Sequence, residues 1–571
     1  MLNNLSFLDA QHIINAKFFL FFYLIFGLTC ILSKKINSWV FLLVSGVIMG
    51  AGYYVLVDNL QLAFWGLKGD ELTIAAMYNT FAHYGFFSDF SYHHLFPFYP
   101  PLFFWIIAAA GRLLSLNGIV MIKMGAAAAF IFFPIIFYVI QKLYWRNTRD
   151  NNLEVAILLS PLLMMFFVSL DEIFGKPHEL FAAAAALYWL LFLYLEIKKI
   201  RFSFKKIIIF GVWGGIIFMI YYLWLVFAVI ALSLLGLTVS KKDQLKFYSR
   251  SSLVLFIALV VSLPFWWPLI FSYITYGSEN WQAGFFTINN IPWRDLFFED
   301  LNWKTLIMFF GFASIIYNYK EEKFRPLIAA LATVYIWWFT GLITLTLFQV
   351  PMQEFRGYYY FMPAALAIGL SFGLMQLWSW LDKINNGEKI KMVLSISGLI
   401  LFAHYSIFGI FIDNPAIQER LIESKQVPAR IKKPADYIKN HNSDDLTLNS
   451  IPELLAFAPI NNFIYFNQHN SHPAANFSER FAYVKEMALS KDSAEFFKKS
   501  QNTPFGKINR FILYHAGNNY PLFYQIDKMM TAIEEVQVDL PDNLISEKYF
   551  NLVYKYNEYE IWETRSDSNK F

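Results

Sequence analysis

A polar, aromatic-rich segment, residues 65–105, interrupts long apolar runs and carries side chains that can take up and release protons. It holds an adjacent carboxylate pair, an adjacent imidazole pair and a tyrosine followed by two prolines. Ionisable side chains are costly to bring close to a bilayer, so their presence favours chemistry at the membrane surface. The residues concerned are Asp70, Glu71, His93, His94 and Tyr99.

The carboxylate pair follows Gly69 and precedes a helix-like run, residues 72–81. One of the two carboxylates can act as a general base if it reaches within about 3 Å of a hydroxyl proton. Desolvation at the interface can raise its pKa. The other interpretation makes Asp70 only the N-cap of the next helix, a position that aspartate favours. Both interpretations stay open.

A second polar segment, DEIFGKPHE at 171–179, lies between two apolar runs. Its mixture of acidic, basic and imidazole side chains favours a phosphate or metal contact over a solvated turn between helices. A divalent cation is possible there, although no spacing is diagnostic of one, and the metal stays unknown. The ionisable residues are Asp171, Glu172, Lys176, His178 and Glu179.

A third segment, QEFRGYYYFMP at 353–363, places Arg356 where a loop enters an apolar run. A guanidinium there can grip a phosphate with two hydrogen bonds and stays charged at every relevant pH. Glu354 can orient it. The alternative is an interfacial arginine whose head group reaches to lipid headgroups.

The composition is that of a membrane protein. Of all residues, 57% are hydrophobic and 15% are charged, whereas soluble domains carry about 25% charged residues. The net charge of +4 is too small to suggest a nucleic-acid partner. Cys30 is the single cysteine, which excludes an intrachain disulfide and a cysteine-based metal site. The N-terminus lacks the basic region and cleavage site of a signal peptide.

Apolar runs long enough to cross about 30 Å of hydrocarbon predict about twelve transmembrane helices. Basic residues cluster in alternate short loops, and the positive-inside rule then places both termini outside the cytoplasm. Loops 59–100, 171–179, 272–303 and 349–357 share that outer face. The predicted spans are 16–33, 38–58, 119–141, 153–170, 180–197, 206–221, 223–239, 252–271, 304–319, 326–348, 358–380 and 391–412.

Two stretches need separate treatment. Residues 101–116 are apolar but short, and we expect them to lie in the outer interface or to form a re-entrant helix. Residues 206–239 are barely long enough for two spans, so they need a sharp turn near Tyr221 and Tyr222, at a depth that suits aromatic side chains.

The composition changes after Ile412, where a polar region begins that mixes strand-like and helix-like pieces. We therefore predict an all-α polytopic membrane domain, residues 1–412, followed by a soluble extracytoplasmic α/β domain, residues 413–571. Asn557 and Glu558 are typical of the turn in a terminal hairpin.

Taken together, these features resemble the GT-C superfamily of integral-membrane glycosyltransferases. Within it, the chain is most similar to the arabinofuranosyltransferase family that primes galactan in mycobacterial cell walls. The resemblance spans nearly the whole chain through short, scattered motifs, the last of which is the most specific. The motifs are GDE at 69–71, FYPPLFFW at 98–105, KPHE at 176–179 and HNSHPAANFSER at 469–480.

The resemblance implies a GT-C fold in a bacterial plasma (inner) membrane and a role in cell-wall polysaccharide biosynthesis. It implies inverting transfer of a sugar, arabinofuranose, from a polyprenyl-phosphate donor to a glycan acceptor. Asp70 is then the leading base and Glu71 the second, while Lys176 and Glu179 also belong to the site. To acceptor binding we assign His472, Arg480 and Tyr99.

Charge that gathers on the leaving phosphate needs cations, and one preorganised contact of this kind is worth about 3 kcal/mol in the transition state. A lipid-linked donor needs no nucleotide, in agreement with the absence of a P-loop or Rossmann fingerprint. To the donor phosphate we assign Arg356, Lys176, His93, His94 and His178.

Two other classes of protein stay open. A polytopic transporter, or a flippase for lipid-linked sugars, also has many spans, but transporters tend to show paired repeats with interrupted helices. Here the polar clusters lie in loops on one face and the halves look dissimilar. A non-catalytic membrane anchor for a binding domain needs only one helix, so a dozen spans are excessive for that role.

Overall fold

The computed structural model describes most of the chain. The described residues are 7–33, 37–64, 66–67, 69–145, 153–168, 170–199, 202–279, 303–348, 350, 352–405, 414–441, 444–527 and 533–565.

Sixteen described helices precede residue 414. They are α1 (Phe7–Ser33), α2 (Ser38–Val57), α3 (Asp70–His83), α4 (Leu102–Leu113), α5 (Gly118–Trp145), α6 (Leu153–Phe167), α7 (Leu170–Gly175), α8 (Pro177–Ile197), α9 (Phe204–Leu237), α10 (Lys241–Val261), α11 (Leu263–Tyr276), α12 (Trp303–Tyr317), α13 (Arg325–Phe348), α14 (Arg356–Tyr359), α15 (Phe361–Leu381) and α16 (Gly387–His404).

Among the described residues, eight helices are long and apolar enough to cross a membrane. Three shorter apolar helices, Leu102–Leu113, Ala156–Phe167 and Trp303–Tyr317, accompany them. Helix α4 has 12 residues and is therefore about 18 Å long, too short for a full crossing. This length agrees with the prediction that residues 101–116 do not form a complete span.

Two predicted boundaries are wrong. The predicted span 252–271 is divided at Ser262, because Pro264 begins a separate helix, α11. The segment 171–179, predicted as a loop, contains helix α7 and the first turn of α8. Pro177 cannot supply an N–H to an earlier turn, so a new helix starts there.

Helix α9 reverses direction at Tyr221, where the backbone is extended (φ −164°, ψ 102°). The first half of α9 runs beside α10 in the same direction, whereas the second half runs the opposite way. The predicted sharp turn between two spans is therefore present. The contacts that establish it join Gly211 to Ile257, Gly215 to Val261 and Gly236 to Tyr248.

The region after residue 413 mixes helices and strands. It contains six described strands: β1 (Thr447–Asn449), β2 (Arg510–Tyr514), β3 (Asn519–Ile526), β4 (Glu534–Pro541), β5 (Phe550–Tyr556) and β6 (Tyr559–Thr564). Four of them form a sheet in the order β1-β2-β6-β5, and β3 pairs with β4 in a separate antiparallel hairpin. Strands β5 and β6 meet at a turn in which Asn557 has a positive φ of 50°, so the predicted terminal hairpin is confirmed. The α-helices of this region are α17 (Pro415–Glu423), α18 (Ala429–Asn440), α19 (Phe477–Ala488) and α20 (Ser493–Gln501).

One apolar cluster joins α3 and the segment that follows it to this C-terminal region. Tyr92 lies at its polar edge: its hydroxyl accepts the backbone N–H of Tyr465 at 2.9 Å and pairs with Ser471 Oγ at 2.9 Å. The C-terminal region thus packs directly over the start of the membrane part, and this contact positions the site described next.

Candidate active site

Asp70 is the first residue of α3, and 52% of its side chain is exposed; we call the solvent-accessible space in front of this carboxylate the cleft. Gly69, with a φ of 56°, occupies the N-cap position, and no side chain caps the helix there. The interpretation of Asp70 as the N-cap is therefore wrong. Its Oδ2 lies 2.5 Å from Nζ of Lys176 instead.

Lys176 and Glu179 come from the junction of α7 and α8. Lys176 precedes the proline that begins α8, and its side chain is 17% exposed. Glu179, in the first turn of α8, is fully buried. A carboxylate without solvent needs a charged partner, and Arg356 supplies it through Nη1, 3.2 Å from Oε1 of Glu179.

Arg356 and Tyr360 lie beside each other at the entry to α15. Nε of Arg356 donates to Oε1 of Gln353 at 3.0 Å, so Gln353 and Glu179 orient the guanidinium. Glu354, predicted to do so, is buried elsewhere, against Gly341. The hydroxyl of Tyr360 donates to Oε2 of Glu172 at 2.5 Å.

Three sequence segments more than a hundred residues apart thus form one cluster. It contains two ion pairs, Asp70–Lys176 and Glu179–Arg356, and the Tyr360–Glu172 hydrogen bond. Residues of the three polar segments, whose loops were predicted to share one face, therefore lie together. Asp171 lies in α7, and its side chain is outside the described part of the structure.

The charges in the cluster stabilise one another. Burial raises the pKa of Asp70, but Lys176, Arg356 and His469 outweigh that effect, so its pKa lies below the usual value. Burial lowers the pKa of Lys176, but Asp70 outweighs that effect and the pKa is raised. Both groups of the half-open pair are therefore charged at neutral pH.

Glu71 and His178, from the first two segments, are buried and do not face the open cleft. Glu71 is 4% exposed, and its charge acts on Tyr53 on the inner side of α3. His178 is also buried, with Nε2 3.1 Å from the hydroxyl of Tyr99. Both therefore line the wall behind the ion pairs, and neither is placed to receive a substrate phosphate as predicted for His178.

The structure does not bring the histidine pair to the ion pairs. Nδ1 of His93 lies 2.7 Å from Oδ1 of Asp444, in the C-terminal region, and its ring stacks on Tyr84 at 4.0 Å. Burial, Arg480 and His93 lower the pKa of His94 to about 4, so this imidazole is neutral at pH 7. The predicted role of these histidines as phosphate-binding cations does not fit these positions.

His472 and Arg480 are used within the protein. The N–H of Ala474 donates to Nδ1 of His472, whose Nε2 in turn donates to the carbonyl of Phe96 at 2.9 Å. Burial lowers the pKa of His472 to about 3. Arg480 donates to the carbonyls of Ala475 and Phe463. Neither side chain has the exposed donor that the predicted acceptor contact needs.

Sequence reasoning missed two neighbours of His472 that approach α3. Nδ2 of Asn470 donates to Oγ1 of Thr73 at 3.1 Å, one turn after Asp70. The charge of His469 contributes to the lowered pKa of Asp70. Both lie in the motif at 469–480, so the motif itself was the available signal.

Among the described residues, no group of three or more histidine, cysteine, aspartate or glutamate side chains is arranged to hold an ion. The carboxylates of Asp70 and Glu179 are paired with Lys176 and Arg356, respectively.

Comparison with solved structures gives a likeness over most of the chain. ArnT from Cupriavidus metallidurans, in the apo state, aligns with 89% of this chain and 99% of its own, at 13% identity and a TM-score of 0.51. The Archaeoglobus fulgidus oligosaccharyltransferase, in complex with Zn and sulfate, aligns over 82% of this chain and 67% of its own, at 14% identity and a TM-score of 0.43. A mutant of the mycobacterial arabinofuranosyltransferase AftD aligns over 91% of this chain and 41% of its own, at 10% identity and a TM-score of 0.46.

The likeness to ArnT is one of fold. Together with the apolar helices, it supports the predicted class of fold, a polytopic helical domain followed by an α/β region at the C-terminal end. No protein-family model matches the chain, and no curated protein matches it significantly.

Proposed function

We propose that this protein is an inverting glycosyltransferase that moves a sugar from a polyprenyl-phosphate donor to a glycan acceptor at the outer face of the membrane. The observation that carries the proposal is the half-exposed Asp70 carboxylate in direct contact with Lys176, beside the Glu179–Arg356 pair. A base and two cations at one membrane-facing cleft are what transfer from a lipid phosphate requires.

The reaction balances without an added cofactor. The acceptor hydroxyl oxygen forms a bond to the anomeric carbon of the donor sugar, while the bond from that carbon to the phosphate oxygen breaks. The hydroxyl proton goes to Asp70, and the electron pair leaves with polyprenyl phosphate. Lys176 and Arg356 stabilise the charge on the leaving phosphate, at about 3 kcal/mol for each contact.

Arabinofuranose is the donor sugar to test first. The family resemblance at residues 69–71 and 176–179 supports it, because both motifs supply members of the cluster. By the same resemblance, we propose a bacterial inner-membrane location, a cell-wall polysaccharide as the acceptor and a role of Tyr99 near that acceptor.

We also propose that residues 413–571 form an extracytoplasmic domain over the membrane domain 1–412. Support comes from the basic loops, which alternate along the chain, and from the hydrogen bond of Asn470 to Thr73 beside the cleft. The domain then holds the growing glycan over the site.

The decisive experiment uses the purified full chain in lipid nanodiscs. A panel of polyprenyl-phosphate sugars, including arabinofuranose, is incubated with a galactan oligosaccharide, and products are read by mass spectrometry. We expect Asp70→Asn to lower the transfer rate by about 10²- to 10⁴-fold without changing thermal unfolding. Unchanged transfer in this variant would remove Asp70 as the base.

A matched control is available within the chain. Asp382 pairs with Lys391 at similar exposures, 48% and 11%, and lies between α15 and α16, outside the cluster. Asp382→Asn removes a comparable ion pair, and we expect normal transfer from it.

The transporter and flippase alternative is tested in the same preparation. A fluorescent polyprenyl-phosphate sugar reconstituted in proteoliposomes reports movement between leaflets. Movement without any glycan product would replace the glycosyltransferase proposal by transport.

A further inference from the structure

A second polar cavity lies where the end of α2, the beginning of α5 and helix α18 meet. Its volume is about 310 Å³, enough for a phosphate group with part of its substituents. None of its lining residues belongs to the Asp70 cluster. The polar side chains that line it are Gln61, Asn117, Lys123, Lys432, Asp436 and Lys439.

Lysine dominates the charge of this cavity. Lys123, Lys432 and Lys439 line it, against the single carboxylate of Asp436. In the described part of the chain, none of the three lysines forms an ion pair. Asp58 acts on Lys123 only through its charge at a distance. Three ammonium groups around one small space repel one another unless an anion lies between them.

The two halves of the cavity come from different parts of the molecule. Lys432 and Lys439 are seven residues apart on α18 and share one helical face, while Ile431 and Ile438 on another face are buried. Lys123 lies in the second turn of α5, and its ammonium donates to the carbonyl of Leu60. An anion in the cavity would therefore connect the C-terminal region to the membrane helices.

The position of the cavity favours a lipid as the source of that anion. It opens at the end of α2, whose exposed side includes Tyr54, Val47 and Leu43. Apolar side chains exposed along a span face acyl chains. Lys123 lies near the start of α5 and donates to Leu60, just after the end of α2, so a phosphate beside it would lie at the ends of two membrane-length helices, the depth of lipid headgroups.

We propose that this cavity binds the phosphate group of an anionic phospholipid and so fastens the C-terminal region to the bilayer surface. Backbone hydrogen bonds beside the cavity already join the two parts, because the N–H groups of Gln61 and Leu62 donate to the carbonyl of Ser424. The bound lipid adds an electrostatic connection to these bonds. The proposal is independent of the proposed glycosyl transfer.

The test uses the purified full chain in detergent. Native mass spectrometry measures binding of phosphatidylglycerol and phosphatidylcholine, and thermal unfolding is followed in mixed micelles of each lipid. We expect phosphatidylglycerol to bind more tightly and to raise the unfolding temperature. Lys432→Gln and Lys439→Gln should each weaken that binding by about fivefold, the value expected for one lysine near an anionic lipid.

The matched control is Lys433→Gln. Lys433 is exposed on the same helix, one residue from Lys432, but does not line the cavity. We expect it to bind phosphatidylglycerol like the wild-type protein. An equal loss in Lys433→Gln, or equal affinity for the two lipids, would overturn the proposal.

A separate arm distinguishes lipid from soluble phosphate. Inorganic phosphate, added without anionic lipid, should leave the unfolding temperature unchanged at millimolar concentration. If inorganic phosphate protects the protein as well as phosphatidylglycerol does, the lipid assignment is wrong.

Discussion

At the scale of single residues, each cation that faces the cleft is held by a carboxylate. The Arg356–Glu179 pair is the more demanding of the two, because Glu179 is fully buried. Removing one partner of a buried pair leaves an uncompensated charge, at a cost of about 3–5 kcal/mol. A loss of activity in an Arg356 variant alone therefore does not separate stability from phosphate binding.

A double substitution separates these two contributions. Arg356→Gln should lower the stability by about 3 kcal/mol or more and abolish transfer. Arg356→Gln combined with Glu179→Gln leaves no buried charge, so stability should largely return while transfer stays absent. Thermal unfolding and initial rates at several donor concentrations measure both. Recovery of transfer in the double variant would make Arg356 a structural residue only.

The pH profile reports on the Asp70–Lys176 contact. The pKa of Asp70 is lowered in the folded protein. As the pH falls, its carboxylate therefore stays ionised and becomes protonated only below the usual carboxyl pKa. Lys176→Met removes the cation that contributes most to lowering the pKa of Asp70, whereas the burial that raises this pKa remains. The acid limb of the kcat/KM profile should then move to higher pH.

Lys391→Met is the control for that measurement, because its carboxylate partners, Asp382 and Glu388, lie outside the cleft. Its acid limb should coincide with that of the wild-type protein. Coincident limbs in Lys176→Met and the wild-type protein would contradict the role given to the ion pair.

At the scale of elements, the reversal of α9 at Tyr221 places both ends of this helix on the same side of the membrane, and so the start of α10 as well. The 34-residue element resembles one very long helix, but its two halves run in opposite directions from Tyr221. The turn also brings Tyr221 beside the rings of Tyr99 and His178, behind the ion pairs. The reversal therefore places Tyr221 among the side chains that line the cleft behind the ion pairs.

Labelling with a membrane-impermeant thiol reagent tests this reversal. In a Cys30→Ser background, we expect Ser203→Cys and Ser240→Cys to react from the same side of the membrane, because they flank the two ends of α9. Ser278→Cys, after α11, should react from the opposite side. Labelling of Ser203→Cys and Ser240→Cys from different sides would mean that α9 crosses once.

At the scale of the whole molecule, Tyr92 joins the C-terminal region to the segment between α3 and α4. Its ring lies under the guanidinium of Arg480, and its hydroxyl accepts the N–H of Tyr465. Four residues after Tyr465 lies His469, whose charge helps to lower the pKa of Asp70. Docking of the C-terminal region and the electrostatics of the cleft are therefore connected.

We expect Tyr92→Phe to lower the stability by about 1–3 kcal/mol, because a buried N–H loses its acceptor, and to lower the transfer rate through the displaced 465–471 segment. Thermal unfolding and acceptor titrations measure the two effects. Tyr437→Phe, in which the ring stacking on Tyr554 is kept, serves as the control. A stable Tyr92→Phe protein with normal acceptor use would disconnect docking from function.

The adjacent residues Asp70 and Glu71 separate what the sequence determined from what it did not. The sequence alone indicated that a helix follows this carboxylate pair near a membrane boundary, because composition, apolar length and helix signals are local. Consecutive helical residues point about 100° apart, so only one can face a given cleft. Only the tertiary structure decided that Asp70 is half exposed and Glu71 buried.

The same distinction holds for the other candidate residues. Local pattern was enough for most of the apolar spans and for the polar character of the three segments, but not for the helix that starts at Pro177. The partners of Lys176, Arg356 and His93 lie far away in the chain, and no local signal encodes which charge a side chain meets. Packing of the C-terminal region against α3 brought His93 to Asp444, and packing among the helices before residue 414 brought Lys176 to Asp70 and Arg356 to Glu179. A buried or half-buried charge is stable only beside a partner of opposite sign.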